Sequence, residues 1–573
     1  MIRRVRVDRR MPESPARGID HPVVARVLGG RGAIEAPNYQ LQSLLAPNLA
    51  HLEQASELLA DAIDHGQRVL VVGDFDADGA TGTALAVRGL RGLGANDVHW
   101  RMPDRIRHGY GLSPRLAREC LVLNPDVLVT VDQGISSHEG VDLMVAAGVR
   151  VIITDHHLPG MVLPNAHALV NPNLPNDPFP SKHLAGVGVM FYLLIGLRQR
   201  LRARGRPADF RLDRLLDLVA LGTVADLVLL DENNRRLVYQ GLQRIRARQC
   251  QPGVTALLEV AGRNLRHVGA SDLGFIVGPR LNAAGRLDDI SIGIQCLLSD
   301  DEDEAFALAK QLDHLNRERQ TLQSDMIDQA EALVEQQLAT MKGRPQGLCL
   351  HDANWHPGVV GLVASKLCER LQRPIIAMAP AEPESDEWKG SCRSPQGVHM
   401  RDLLVELDAK RPGLMDQFGG HARAAGLSIQ SSARAPLADA FSALVADIQY
   451  PPEAVLSDGA LSTDELVVET AQALSEAGPW GQGWAPPLFD GLFTILERRV
   501  VGQKHLKLSV VPVNGGPVLD AIAFGAGEWC FQELPNPIGL TYRLEVNRWR
   551  GRVTAQLNIQ HWIDEDSSGT AND

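Results

Sequence analysis

The feature that most constrains this chain is a repeated one. Three short β-branched runs, RVLVVG (68–73), DVLVTV (126–131) and RVIIT (150–154), each stop at an acidic residue. The first leads into Asp74-Phe75-Asp76-Ala77-Asp78-Gly79, the second into Asp132-Gln133-Gly134 and the third into Asp155-His156-His157. Near-continuous apolar runs of this length suit parallel strands covered on both faces. Helical stretches (81–94 and 136–148) lie between them, and strand–helix–strand alternation predicts an open α/β sheet. Such sheets bind ligands beyond the carboxyl ends of their strands, so the three runs would deliver their acids and histidines to one edge. Asp226, in LGTVADL (221–227) after the helical run 215–222, adds a fourth source.

Asp and His together are ligands for Mg²⁺, Mn²⁺ and similar ions. Five or more such groups in one crevice carry a charge that cations must neutralise, because buried like charges are otherwise very costly. Two cations ~3.5–4 Å apart form the usual clamp for phosphodiester cleavage, and histidine among the ligands favours Mn²⁺ while leaving Mg²⁺ open. Bland readings compete at each position. A single Asp after a strand is commonly a helix N-cap. Asp-x-Asp-x-Asp-Gly resembles a calcium loop but lacks the downstream Glu, since twelve residues from Asp74 end at Leu85. The joint register of all four segments with strand or helix ends is what points to a metal site.

The rest of the chain divides by pattern. Residues 1–50 read as an irregular, partly helical lead-in, and 51–298 as the acid-bearing domain. From 299 to 344 there is one long helix, with no Gly or Pro between 299 and 342, spanning ~60 Å at 1.5 Å per residue. Its apolar spacing leaves a coiled-coil dimer open beside the favoured reading, packing on its own domains. Residues 345–450 look like a second α/β domain. Pro451-Pro452 marks a linker, and 451–565 carries short strands with turns, as in a small β-barrel. The acidic segment 566–573 reads as a disordered tail.

Composition excludes other classes. The chain of 573 residues is 45% hydrophobic and 22% charged, which is globular. Its seven Cys form no C-x-x-C pair, so no disulfide framework or zinc knuckle is expected, in keeping with a reducing cytoplasm. MIRRVRVDRR has no apolar stretch behind it and does not read as a secretory signal. No apolar run reaches membrane-spanning length. The net charge of −12 argues at first against a nucleic-acid partner. Much of that acidity, however, sits in the proposed metal cage, in the run 301–304 and in the tail.

These motifs resemble the DHH phosphoesterase superfamily: DFDADG (74–79), VTVDQG (129–134), DHH (155–157) and GTVADL (222–227). Within it the chain is similar to the RecJ family of single-strand-specific 5′→3′ DNA exonucleases. PDRIRHGYGLS (103–113), LAGVGV (184–189), GPRLNAAGRL (278–287), GSCRS (390–394), FGGHARAAG (418–426) and PWGQGWAPPLF (479–489) carry that likeness. The resemblance implies an α/β multidomain chain: a parallel-sheet DHH domain, a connecting helix, a second α/β DHH-associated domain and a C-terminal OB-fold barrel. It also implies two Mn²⁺ or Mg²⁺ ions.

The implied roles follow motif by motif. Asp76 and Asp78, with Asp74 a third member, bind metal, Asp132 bridges the two ions, and His156 and Asp226 are further ligands. His157 is a ligand or touches the scissile phosphate, and Asp155 orients a histidine. Arg105, Arg107 and Tyr110 line the strand path, while Arg280, Asn282, Arg286, Ser391 and Arg393 grip phosphates and His421 faces the metals. Each arginine has an ordinary salt bridge as its competing reading. Lys504, His505 and Lys507 on the barrel, and Arg198 to Arg206, have a solvated face as theirs. The partner is single-stranded DNA, with a single-strand-binding protein and a RecQ-type helicase as family expectations, no membrane, and a monomer. The rivals are a nanoRNase or cyclic-dinucleotide phosphodiesterase, and a non-catalytic binding relative.

Overall fold

The computed structural model describes residues 4–10, 14–105, 107–340, 346–448 and 454–563. The linker expected at Pro451-Pro452 and the acidic tail lie outside them. The chain enters as a strand, β1 (Arg4–Arg9), and then builds the acid-bearing domain. There, β2 (Val69–Val72), β3 (Val98–Arg101), β4 (Val127–Val131), β5 (Arg150–Thr154) and β6 (Ala168–Val170) form an all-parallel sheet in the order β3-β2-β4-β5-β6. Alternation along each strand feeds two cores. Val69, Val71, Val127, Val129, Val131 and Ile152 join one, and Leu70, Val72, Leu128, Val151 and Ile153 the other. Both faces are therefore covered by helices, which is why the strands read as unbroken apolar runs. The chain leaves β2 toward β3 on one side and returns as β4 on the other, so a crevice opens beyond the carboxyl ends of β2 and β4.

The long helix, Glu302–Thr340, serves two cores in turn. Ala305, Ala309 and Leu312 pack in the first domain, and Met326, Ala330 and Val334 pack in the next. Its apolar stripe is thus covered by its own chain. The second domain has a mixed sheet, β7 (Leu348–His351), β8 (Ile375–Pro380), β9 (Glu387–Arg393), β10 (Gln417–Gly420) and β11 (Ala424–Gln430), ordered β10-β11-β9-β8-β7 with only β7–β8 parallel.

After β12 (Ala454–Ser457), the strands β13 (Phe489–Val501), β14 (His505–Pro512), β15 (Leu519–Ala523), β16 (Ile538–Trp549) and β17 (Arg552–Ile563) close on themselves. The pairings run β13–β14–β15–β17–β16–β13, which removes the free edges. The lead-in expected over 1–50 departs from its reading here. β1 pairs in parallel with both β12 and β17, and Val23, Val24, Val27 and Leu28 of the helix Pro22–Gly29 lie in the barrel core. Ion pairs Arg9–Asp490, Arg10–Asp458, Arg26–Glu465 and Arg31–Asp458 complete the clamp. A short strand whose partners lie in segments 454–457 and 552–563, at the other end of the chain, leaves only a weak local signal. All seven cysteines are free, and no helix among the described residues is long and apolar enough to cross a membrane.

Candidate active site and metal centre

The site is assembled from the loop after β2. Asp76 is the N-cap of the helix Ala77–Gly92, accepting from the N–H groups of Asp78 and Gly79, both at 3.0 Å. The turn before it is tight: a methyl on Gly79 would sit 2.3 Å from the Asp74 carbonyl oxygen. Asp78 looks inward, and its two carboxylate oxygens accept from Gly186 N–H (2.6 Å) and Val187 N–H (3.0 Å), at the start of the helix Gly186–Ala203. That places a carboxylate on a helix N-terminus, where the dipole favours negative charge.

Asp132 follows β4 in the left-handed region, with φ 63°. A non-glycine residue there costs about 1–3 kcal/mol and persists only where its surroundings impose it. Gly186 packs directly against it, since a methyl there would lie 2.3 Å from Asp132 Cβ. After β5, Asp155 is fully buried and saturated. It accepts from the N–H groups of His156 (2.7 Å), His157 (3.1 Å) and Ile135 (2.9 Å), and binds His157 Nδ1 at 2.7 Å. Burial pushes its carboxyl up, but the His157 hydrogen bond and the imidazole charges outweigh that and leave its pKa lowered. Asp226 caps the C-terminus of the helix Leu216–Ala225.

Three sets of side chains then converge: Asp132, His156 and His157; Asp78, His156 and Asp226; and Asp74, Asp76 and Asp132. Within each set the ligand atoms lie within 4.8 Å of one another. His156 Nε2 is 3.1 Å from an Asp132 oxygen and 3.5 Å from an Asp226 oxygen. Asp74 Oδ1, Asp132 Oδ1 and His156 Nε2 are buried and make no well-aligned hydrogen bond, the last two lying 3.1 Å apart. Orphaned polar atoms of that kind are expensive, and three aimed into one acidic crevice fit divalent cations. Burial and mutual repulsion hold the carboxyls of Asp74, Asp132 and Asp226 well above the usual range, and Asp78 is pushed up to about 7. Burial, with the His157 charge, brings His156 down to about 4. A neutral imidazole is the ligand form.

The residues expected to meet a strand divide. Tyr110 is half-exposed, its hydroxyl 3.0 Å from His157 Nδ1 and its ring edge-on to Phe75. Arg105 lies over the Phe75 ring, 3.8 Å from its centroid, and donates to the Gly285 carbonyl. Arg107 is exposed. Arg286 donates to the Gly358 carbonyl across the domain boundary, and Arg393 donates to the hydroxyls of Ser365 and Ser391. His421, at the β10–β11 turn, is exposed and close enough to His157 to feel its charge.

Two of the residues expected to grip phosphates have partners within the protein. Arg280 is held by Asp313 of the long helix (2.7 Å) and by the Ile276 carbonyl, so its guanidinium is committed within the protein. Asn282 Oδ1 accepts from Ala77 N–H at 2.8 Å and steadies the metal loop from behind. The barrel's Lys507 is paired with Asp520, and Arg200, Arg204 and Arg206 pair with Glu57, Asp61 and Asp64.

One further arginine carried no expectation from the sequence. Arg319 of the long helix is 9% exposed and, among the described residues, hydrogen-bonded to Asn316 and Gln323 alone, with Nε unpartnered. Its signal was an arginine on the helix's apolar stripe, four residues after Leu315. Burial, together with the Arg105 and Arg319 charges, lowers the Arg286 pKa to about 10. Among the described residues, Arg105, Arg286, Arg319 and Arg393 make no ion pair.

The three domains also match known families. Residues 68–223 match the N-terminal domain of the DHH family, 337–448 the DHHA1 domain and 457–561 the RecJ OB domain. The chain is 47% identical over 550 residues to the single-stranded-DNA-specific exonuclease RecJ of Salmonella typhimurium, spanning 94% of this chain and 95% of that one. It superposes on the crystal structure of Thermus thermophilus RecJ in complex with Mn²⁺ with a TM-score of 0.78 and 31% identity, over 97% of this chain and 79% of that one. For the Mg²⁺ complex the TM-score is 0.72 at 29% identity, over 97% and 78%. Similarity at this level, across nearly the whole length and with the domains in the same order, means that the chain belongs to the RecJ family of metal-dependent, single-stranded-DNA-specific exonucleases.

Proposed function

We propose that this protein degrades single-stranded DNA from the 5′ end and releases 5′-mononucleotides, using two divalent cations, Mn²⁺ or Mg²⁺. The observation that carries this reading is the pairing of opposites in one cleft. A cage of buried acids with orphaned ligand atoms lies beside arginines that have no acidic partner. Asp74, Asp76, Asp78, Asp132, His156 and Asp226 would hold the cations, with Asp132 shared between them. Bound there, the ions supply Lewis acidity to the phosphodiester and make water acidic enough to attack at neutral pH. His157, fixed by Asp155 and Tyr110, would donate to a non-bridging phosphate oxygen. Arg105, Arg286, Arg319 and Arg393 would hold the strand's terminal phosphates, a task suited to a planar fork of donors.

Strand selection would be steric: the DHH-associated domain meets the catalytic domain where Arg286 donates to the Gly358 carbonyl, and a cleft between them would admit one strand and exclude a duplex. The same reading extends to DNA repair and recombination in the cytoplasm, by a monomer working with a single-strand-binding protein and a RecQ-type helicase. The test is digestion of end-labelled single-stranded and duplex DNA with Mn²⁺, Mg²⁺ or chelator. Mononucleotides should come from the single strand alone and vanish with chelator. Asp132→Ala should fall to background; wild-type-like release from it would sink the metal assignment. A strong preference for a dinucleotide over a long strand would favour the nanoRNase or phosphodiesterase reading instead. Arg286→Ala and Arg393→Ala should each raise KM and cut the salt slope of binding by ~0.7.

A further inference from the structure

In the parallel sheet, β2, β4 and β5 lead into the acids of the candidate site, whereas β6 leads into amides. It is followed by Asn171-Pro172-Asn173. β6 lies at the sheet edge beside β5, and its Val170 carbonyl accepts from Asp155 N–H at 3.1 Å. The Asn-Pro-Asn turn therefore starts level with Asp155-His156-His157. Its side chains reach across to that segment's backbone. Asn171 Nδ2 donates to the His157 carbonyl at 2.9 Å, and Asn173 Nδ2 donates to the His156 carbonyl at 2.6 Å. Asn-containing turns are commonplace, but these two amides bond residues 14 and 17 positions earlier, at the exit of the neighbouring strand.

The peptide joining His156 to His157 is thereby held at both ends. Its N–H donates to Asp155 Oδ1 at 3.1 Å, and its carbonyl receives the Asn173 amide. A planar unit tied at both ends cannot swing, so ψ of His156 and φ of His157 are set, and with them the directions in which the two rings project. The next peptide is tied through its carbonyl by Asn171. Both partners are carbonyl oxygens, which only accept, so an amide serves where an ionised carboxylate could not. Asn171 is fully buried, and its Oδ1 accepts from Asn173 N–H at 2.8 Å, which locks the turn. Lys182 pins the turn from outside, its ammonium donating to the carbonyls of Pro172 and Asp177, both at 2.8 Å.

We propose that Asn171 and Asn173 are positioning residues for the two histidines. Asn173 aims the His156 imidazole at the cations, and Asn171 aims His157 at the scissile phosphate. The inference rests on the exonuclease reading for what the two rings act upon, and on the contacts above for how they are held. It accounts for a short edge strand whose exit carries no acid: a further carboxylate there would add charge to a crowded cage and leave both histidine carbonyls without donors.

The test uses the full chain. Mn²⁺ binding is read by calorimetry without DNA, and kcat and KM are read on a single-stranded oligonucleotide at saturating Mn²⁺. Asn173→Ala should weaken Mn²⁺ binding about 10–100-fold, the usual cost of losing a partner that orients a metal-ligating histidine. Asn173→Asp, which keeps the shape but turns an acceptor toward the His156 carbonyl, should do the same. Asn171→Ala should lower kcat by about 10–100-fold while Mn²⁺ affinity and KM stay within about threefold of wild type. Lys182→Met, which loosens the turn without touching either amide, should move both quantities the same way by less. Asn165→Ala, exposed in the β5–β6 connection, is the control and should match wild type. Unchanged melting separates these effects from misfolding. Unchanged Mn²⁺ affinity in both Asn173 variants would overturn the proposal, as would a rise in KM in place of the fall in kcat for Asn171→Ala, or losses that simply track lowered melting. Normal DNA cleavage by the wild type, with Mn²⁺ binding and kcat unmoved in every variant, sinks this inference alone. Wild-type Mn²⁺ binding without DNA cleavage, still weakened by the Asn173 variants, sinks the exonuclease reading alone.

Discussion

Gly186→Ala isolates the geometry on which the metal cage depends. Gly186 opens the helix Gly186–Ala203, and its N–H donates to Asp78 at 2.6 Å. An added methyl would stand 2.3 Å from Asp132 Cβ, 2.7 Å from its Cα and 2.8 Å from its Cγ. That is roughly 1 Å short of ordinary contact. Neither neighbour can yield cheaply. Asp132 is held by its own left-handed backbone, and the helix start by the two bonds to Asp78. Overpacking of this kind costs about 1–3 kcal/mol of stability, which a chain with this much core should survive. Displacing a catalytic ligand by ~1 Å costs about 100-fold in rate. The expected result is therefore a folded protein with kcat down about 100-fold and weakened Mn²⁺ binding by calorimetry. Gly188→Ala is the control, because its methyl would meet only the Leu184 side chain, at 3.3 Å. A Gly186→Ala protein with kcat and Mn²⁺ affinity within about threefold of wild type would refute the claim that close helix approach positions Asp132.

Metal affinity should depend on pH with a definite sign. Asp78 is pushed up to about 7, chiefly by burial and then by Asp76, so below that pH it holds a proton that a cation must displace. Mn²⁺ affinity should fall about tenfold or more per pH unit below 7; a flat profile between pH 6 and 8 would count against the cage. Arg31→Ala should destabilise the barrel. It removes a guanidinium buried against Asp458, with side chains 5% and 1% exposed, and lying over Trp480 and Trp484. A loss of about 3 kcal/mol is expected in denaturant unfolding followed by tryptophan fluorescence, and a loss under ~1 kcal/mol would show that Arg10 alone satisfies Asp458.

Much of the candidate site was legible because its acids and histidines are tied to strand and helix ends. Near-continuous β-branched runs mark β2, β4 and β5, and the residue following each run is constrained by where a parallel sheet must end. Asp76 shows how two readings of one residue coexist: it caps its helix through one oxygen and still belongs to a metal set. The arginines were less legible. Arg280 and Arg286 lie in one motif and look alike in sequence. Asp313, brought in from the long helix, neutralises the first, whereas only a carbonyl meets the second.

The sequence alone determined the order of domains, the long helix and the set of acids and histidines at the strand ends, because each depends on local periodicity and on spacing within one element. Only the tertiary structure decided which charges remain unpaired, that Asp132, in a left-handed backbone, packs against a glycine 54 residues away, and that β1 joins a barrel strand at the far end of the chain. The physical reason is common to all three. A charge, a strained dihedral or a strand edge is satisfied or left open by whatever folds against it, and those partners are distant in sequence.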